Sequence, residues 1–291
     1  MAGRLDVRKT YKLYIGGAFP RSESGRSYAV ADSRGRFLAN ASHASRKDAR
    51  DAVVAARKAF DGWSGATAYN RGQVLYRVAE LMEGRRDQFV EEVLAAEGGG
   101  RAKATAAVDA AIDRWVWYAG WTDKVAQVAG SANPVAGPYF NFSTPEPTGV
   151  VAALAPQSSS LLGLVSVVAP IVCVGNTVVV VTSADRPLPA VTLSEVLATS
   201  DVPGGVVNVL TGHAAELGPW LADHLDVNAI DLTGAAGDTD LAVDLEVRAA
   251  ENTKRVLRSP AAEPDWTATP DGPRRILAFC ETKTVWHPMG V

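Results

Sequence analysis

Four short runs rich in β-branched residues, Val150–Leu154, Val178–Val181, Val206–Leu210 and Val227–Leu232, recur downstream of Gly149, and segments of helical length beginning near Ser160, Pro189 and Ala214 separate them. Strands that alternate with such helices form βαβ units, which imply a parallel sheet with a helical layer on each face. Runs that are apolar throughout, without the alternation of a half-wetted sheet, suit strands buried on both sides. Gly149, Gly175-Asn176, Pro203-Gly204-Gly205 and Thr211-Gly212 stand where the units need turns. The expected fold class is therefore α/β, organised on a parallel sheet.

The segments around this stretch carry weaker signals. Tyr11–Asn40 reads as short strands and turns, with Gly16-Gly17 and Ser24-Gly25 at hairpins. Ser45 and Asp48 have the spacing of a capping pair, and Ala49, Val53, Ala56 and Phe60 recur at helical spacing behind them. Leu75, Val78, Leu81, Met82, Phe89 and Val93 predict a second helix ending at Gly98-Gly99-Gly100, and Lys103–Ala129 predicts a third. Trp115 and Trp117 are expected in the core rather than at a ligand. Asn133–Thr148 alternates between prolines, which suits an edge or a projecting arm. Asp238–Arg248 is expected as a helix, Thr253–Leu257 as a strand, Ser259–Pro273 as a proline-rich linker and Arg274–Trp286 as a strand.

Composition narrows the partners. A net charge of −3 over 291 residues provides no basic field, so a nucleic-acid partner is not expected. Leu161–Val181 is apolar enough to raise a membrane span, but Ser166, Pro170, Gly175, Asn176 and Thr177 interrupt it, and no membrane partner is expected. The opening MAGRLDVRKTYKLY lacks the apolar core of a secretory signal, so the expected location is cytoplasmic. Cys173 and Cys280 lie far apart without ligand spacing, and both are expected to be reduced. His213, His224 and His287 have no cysteine or carboxylate at a suggestive spacing; surface or interface positions and no metal are expected.

The ordered series GVVAALAP, VGNTVVVV, RPLPA, VPGGVVNVLTG and the LTG of Leu232–Gly234 resembles the cofactor domain of the aldehyde dehydrogenase superfamily. Tyr14-Ile15-Gly16-Gly17, Ala52–Ser64, Glu146–Ala152 and Glu281–Gly290 resemble that family's amino-terminal segment, its entry into the first strand and its closing strand. The resemblance implies a Rossmann-like sheet with amino-terminal helices and a small oligomerisation β-arm. Residues 1–258 would then form the cofactor domain, interrupted by the arm at 133–148. Residues 259–273 would be a linker replacing the catalytic domain, and 274–291 the closing oligomerisation strand.

The family's reaction needs a cysteine thiolate, donors for an oxyanion, a carboxylate to activate water and a bound nicotinamide. This chain departs at each matching position. Ser158 stands where a Pro-Trp-Asn motif supplies the oxyanion asparagine. Val181 and Ala184 fall on the lysine and glutamate of Lys-Pro-x-Glu, whose lysine holds the adenosine ribose; Asp185 is one position from the lost carboxylate. The pyrophosphate turn Gly-Ser-Thr-x-x-Gly reads Gly234-Ala235-Ala236-Gly237-Asp238-Thr239, which loses the serine hydroxyl and adds an anion. Ser259 falls on the catalytic glutamate, with Glu251 and Glu263 out of register. Cys280 is expected as a small packed hydrophobe, and the thiolate of Cys173 is disfavoured by burial.

The resemblance therefore implies a noncatalytic subunit, a pseudoenzyme with no NAD or NADP. It would join a full-length aldehyde dehydrogenase homologue in a hetero-oligomer and stabilise or regulate it. One alternative is an NAD(P)-dependent oxidoreductase subunit whose degraded site the partner completes. Another is a small-ligand module using the crevice at the carboxyl ends of the strands.

Overall fold

The computed structural model describes residues 9–290. The first eight residues, which belong to the segment read above for a secretory signal, and Val291 lie outside the described residues. Gly16 and Gly17, at φ +62° and +84°, close a two-residue turn between Ile15 and Ala18. Tyr14 then exchanges both backbone hydrogen bonds with Val209, at 3.0 and 2.7 Å, which lays this segment along the main sheet. Strands β1 (Ser27–Ala31) and β2 (Phe37–Ser42) pair antiparallel. A turn does fall at Ser24-Gly25, closed by the Gly25 N–H on the Ser22 carbonyl at 2.9 Å, but it precedes β1; β1 and β2 are joined at Asp32–Arg36, where the Asp32 carboxylate accepts the backbone N–H groups of Arg34 and Arg36.

Helix α1 (Arg46–Gly65) opens on the expected capping box: the Ser45 hydroxyl accepts from the Asp48 N–H and the Asp48 carboxylate from the Ser45 N–H. The expected second helix is two, α2 (Ala68–Glu83) and α3 (Arg86–Glu97). Gly84, a poor helix former, and Arg85, with non-helical φ −116° and ψ 16°, make the corner. That corner lets Leu75, Val78 and Met82 on one side and Phe89, Val90 and Val93 on the other share a core with α4 (Arg101–Ala119). The third helix likewise stops early, at Gly120, and resumes as the short α5 (Val125–Ala129). Trp115 is fully buried, as expected.

The five-stranded sheet comprises β5 (Val150–Leu154), β6 (Thr177–Val181), β7 (Val207–Leu210), β8 (Ala229–Asp231) and β9 (Arg255–Leu257). Its order is β7-β6-β5-β8-β9, all parallel. Period-two alternation divides its side chains between two cores. Val151, Ala153, Val178 and Val180 pack with α4, α6 (Leu162–Cys173) and α7 (Leu188–Leu197). Val150, Ala152, Leu154, Val179 and Val181 pack with α1, α8 (Ala214–Asp223) and α9 (Thr239–Ala250). The chain leaves β5 for β6 and β7 and returns on the other side as β8, so the order reverses between β5 and β8. Open α/β sheets present their crevice at such a reversal. Among the described residues no helix is long and apolar enough to cross a membrane.

A second, antiparallel sheet of order β10-β4-β3 is formed by β3 (Ser131–Asn133), β4 (Tyr139–Pro147) and β10 (Cys280–Pro288). The segment expected as a strand from Arg274 begins instead as a helical turn, α10 (Arg274–Leu277). A helical turn there buries both Ile276 and Phe279 completely in the core beside α6, which strand alternation does not allow for residues three apart.

The two sheets meet at Asn176. Its side-chain oxygen accepts from the Gly149 N–H and its NH₂ donates to the Phe279 carbonyl, both at 2.8 Å and both buried. Gly149 is obligatory beside it: φ is +135°, and a Cβ would stand 2.1 Å from the Asn228 side-chain oxygen. Replacing Asn176 by alanine strands the buried Gly149 N–H, while the Phe279 carbonyl keeps the Thr148 N–H at 3.2 Å, and is expected to cost about 1–3 kcal/mol, measured by urea unfolding. A change below about 0.5 kcal/mol would show that the junction relaxes without this side chain.

Candidate functional site

The crevice at the β5–β8 reversal is built from three strand ends. From β5 the chain runs through Ala155 and Pro156 to Gln157, whose side chain donates to the Ala155 carbonyl at 2.7 Å and accepts from the Ala184 N–H at 3.2 Å. The Ser183 hydroxyl donates to the Gln157 carbonyl at 3.0 Å, so the ends of β5 and β6 are laced together by short polar groups. Val181 is fully buried in the apolar core, and Ala184, half-buried, has no charge to direct at a ribose. Asp185 is exposed.

At the end of β8, Gly234 sits in a 3-10 turn, Thr233–Ala235, and a Cβ there would lie 2.2 Å from the Ala155 carbonyl oxygen. Contact with the β5 end thus accounts for this glycine without a phosphate. Ala235 is buried and its N–H donates to Leu232. The helix that follows, α9, is capped by Asp238, whose carboxylate accepts from the Leu241 N–H at 3.0 Å. An N-terminal turn that could face a pyrophosphate holds this chain's own anion instead.

The segment 259–273 reaches the end of β5 through Glu263. Glu263 accepts from the Ser158 N–H at 3.0 Å, from the Ser158 hydroxyl at 2.6 Å and from the Trp266 indole N–H at 3.0 Å. Both donors that Ser158 could turn toward an oxyanion are therefore used. Trp266 is buried against the core, and Arg114 fixes the segment by donating to the carbonyls of Trp266 and Ala268 at 2.9 and 3.0 Å and to the Ser166 hydroxyl at 3.0 Å. Arg275 reaches the fully buried Asp231 at 2.6 Å. Ser259 bonds its hydroxyl to the neighbouring Pro260 carbonyl at 3.3 Å and meets none of these groups. Sequence reading placed Glu263 out of register and missed its contact with Ser158, since no sequence signal links residues that far apart.

Neither cysteine resembles a nucleophile. Cys173 is fully buried, and desolvation pushes its pKa far up. Burial raises the Cys280 thiol to about 11, and its Sγ contacts the Ile276 carbonyl at 3.4 Å. Only about one thiol in ten thousand would be ionised there at pH 7.

The histidines divide. His287 is exposed on β10, and His224 accepts from the Asp226 N–H at the end of α8. His213 is exposed, as expected, and His43, from the loop after β2, and Glu216, three residues along on α8, bring their ligating atoms within 4.8 Å of one another and of His213. A long-range contact supplies His43, which spacing alone does not reveal.

The profile of the aldehyde dehydrogenase family matches residues 19–258, and the chain belongs to that family. It is 33% identical over 238 residues to human retinal dehydrogenase 2, covering 79% of this chain and 45% of that protein. It is 32% identical over 254 residues to a putative aldehyde dehydrogenase, DhaS, of Bacillus subtilis, covering 86% of this chain and 50% of the relative. Among solved structures, an aldehyde dehydrogenase from Bacillus cereus superposes with a TM-score of 0.80 at 26% identity, over 85% of this chain and 50% of the other. The chain thus spans about half the length of the relatives it matches.

The thiol environment is directly testable. In the folded protein neither Cys173 nor Cys280 is expected to react with a maleimide over minutes at pH 7, and both should react at once in denaturant. Rapid labelling of folded protein, lost in Cys280→Ser, would reinstate Cys280 as a candidate nucleophile.

Proposed function

We propose that this chain is a noncatalytic aldehyde dehydrogenase-like subunit, a pseudoenzyme that binds a full-length homologue and stabilises or regulates it. One observation carries the reading: the donors that the family's chemistry would aim at an oxyanion and a pyrophosphate are satisfied by the chain's own carboxylates, Glu263 on Ser158 and Asp238 on α9. An incoming dinucleotide would have to displace or face both anions, at Coulomb cost, without the lysine and glutamate that Val181 and Ala184 replace. NAD or NADP is the cofactor that would enter if either did.

The arm supports the partner. Tyr139, Phe140 and Trp286 are each more than 40% exposed on the small sheet, with Tyr139 and Trp286 edge to face at 5.8 Å. Exposed aromatics on a sheet with free edges favour coverage by another protein surface. A full-length aldehyde dehydrogenase homologue offers the catalytic-domain surface that such an arm covers in the family.

Two outcomes are expected. Calorimetric titration with NAD or NADP gives no saturable heat; a submicromolar Kd would favour the oxidoreductase alternative. Native mass spectrometry of the assembly from its own cells finds a full-length homologue bound, and Phe140→Glu or Trp286→Arg weakens the association about thirtyfold, the scale of an interface hot spot. A stable monomer or an exclusive homo-oligomer would defeat the partner assignment. Point changes are preferable to deletion from residue 274, which would also remove the buried Ile276 and Phe279.

A further inference from the structure

We propose that His43, His213 and Glu216 form a binding site for a divalent transition-metal ion of the zinc class, separate from the strand-end crevice filled by Glu263 and Asp238. Their ligating atoms, one from each side chain, all lie within 4.8 Å of one another. The His43 Nε2 is 3.0 Å from the Glu216 Oε2, and the two imidazoles meet edge to face with centroids 5.4 Å apart. Two imidazoles and one carboxylate are a donor set for zinc, cobalt or nickel, whereas calcium and magnesium favour all-oxygen shells. Contraction of a few tenths of an ångström to about 1 Å by each side chain would bring metal bonds of about 2.0–2.2 Å within reach, leaving further positions to water.

The backbone under the site is fixed. The His43 N–H donates to Arg26 at 3.0 Å and the Ala44 N–H to Thr211 at 2.9 Å, so the loop after β2 is pinned to the end of β7. Gly212, at φ +146°, permits the approach: a Cβ there would meet the His43 ring at 3.3 Å. His213 is the N-cap residue of α8 and Glu216 lies in its first turn, which places both on the same end of one helix. Tyr28 packs against both imidazoles, at 5.7 and 5.8 Å, and restricts their rotation. Among the described residues the His213 ring makes no hydrogen bond, which leaves its nitrogens available to a metal. His43 and Glu216 by themselves would form an ordinary hydrogen-bonded pair; the third donor beside them is what suits a cation. Bound metal would clip the β2–α1 loop to α8 at the rim of the β7 end of the sheet.

Chelator-treated full-length protein titrated with Zn²⁺ is expected to bind one equivalent, with a rise in thermal midpoint, and Co²⁺ should give visible absorption bands of a nitrogen-ligated site. His213→Ala and Glu216→Gln, both exposed and compatible with folding, should each weaken binding at least about tenfold and remove the midpoint rise. His224→Ala and His287→Ala should change neither. Absence of binding at millimolar Zn²⁺, or undiminished binding in His213→Ala and Glu216→Gln, would overturn the site.

Discussion

The structure depends on the junction where Asn176 bonds both Gly149 and Phe279. One amide side chain joins the entry to the first core strand, the turn before the second and the approach to the last strand of the arm. Both bonds are buried, and among the described residues the Gly149 N–H bonds Asn176 alone, so the geometry on that side is held by the cost of leaving it. Gly149 lets Asn228 come equally close on the other side, where that side-chain oxygen accepts from the Val150 N–H at 3.0 Å. The arm is thus attached to the α/β sheet through hydrogen bonds that tolerate no side chain at residue 149.

Two carboxylates of the chain itself bond to donors at the crevice. Helix termini and exposed backbone N–H groups attract anions whatever their source. In this chain the anions are covalently attached: Asp238 at the start of α9 and Glu263 on Ser158. A tethered carboxylate gives up no translational freedom when it binds, so it holds its donor at an effective concentration that free ligands must outcompete. Trp266 and Arg114 keep the segment bearing Glu263 in place. Together these contacts, rather than any single missing residue, argue for the pseudoenzyme reading.

Two surfaces remain after the crevice is accounted for. The arm presents aromatics that its own sheet leaves uncovered, while the rim beyond β7 gathers two of the chain's four histidines. Their chemistries differ: the first suits an extended apolar protein face, the second a small cation. Neither draws on the crevice.

The sequence alone determined the elements whose signals are local and redundant. Valine-rich runs set apart by glycine turns specified β5, β6 and β7 to within a residue, and the Ser45–Asp48 pair specified the start of α1, because strand apolarity and capping chemistry act over a few neighbouring residues. Ordered motifs carried the family and pointed to Ser158, Val181, Ala184, Gly234, Ala235 and Ser259. Tertiary structure decided the corner at Gly84-Arg85 and the helical turn at Arg274, where burial of Phe89, Ile276 and Phe279 overrode the longer periodic pattern. It alone brought Glu263 to Ser158 and His43 to His213, since contacts across 105 and 170 residues are made by the closing of the fold and leave no local trace in either segment.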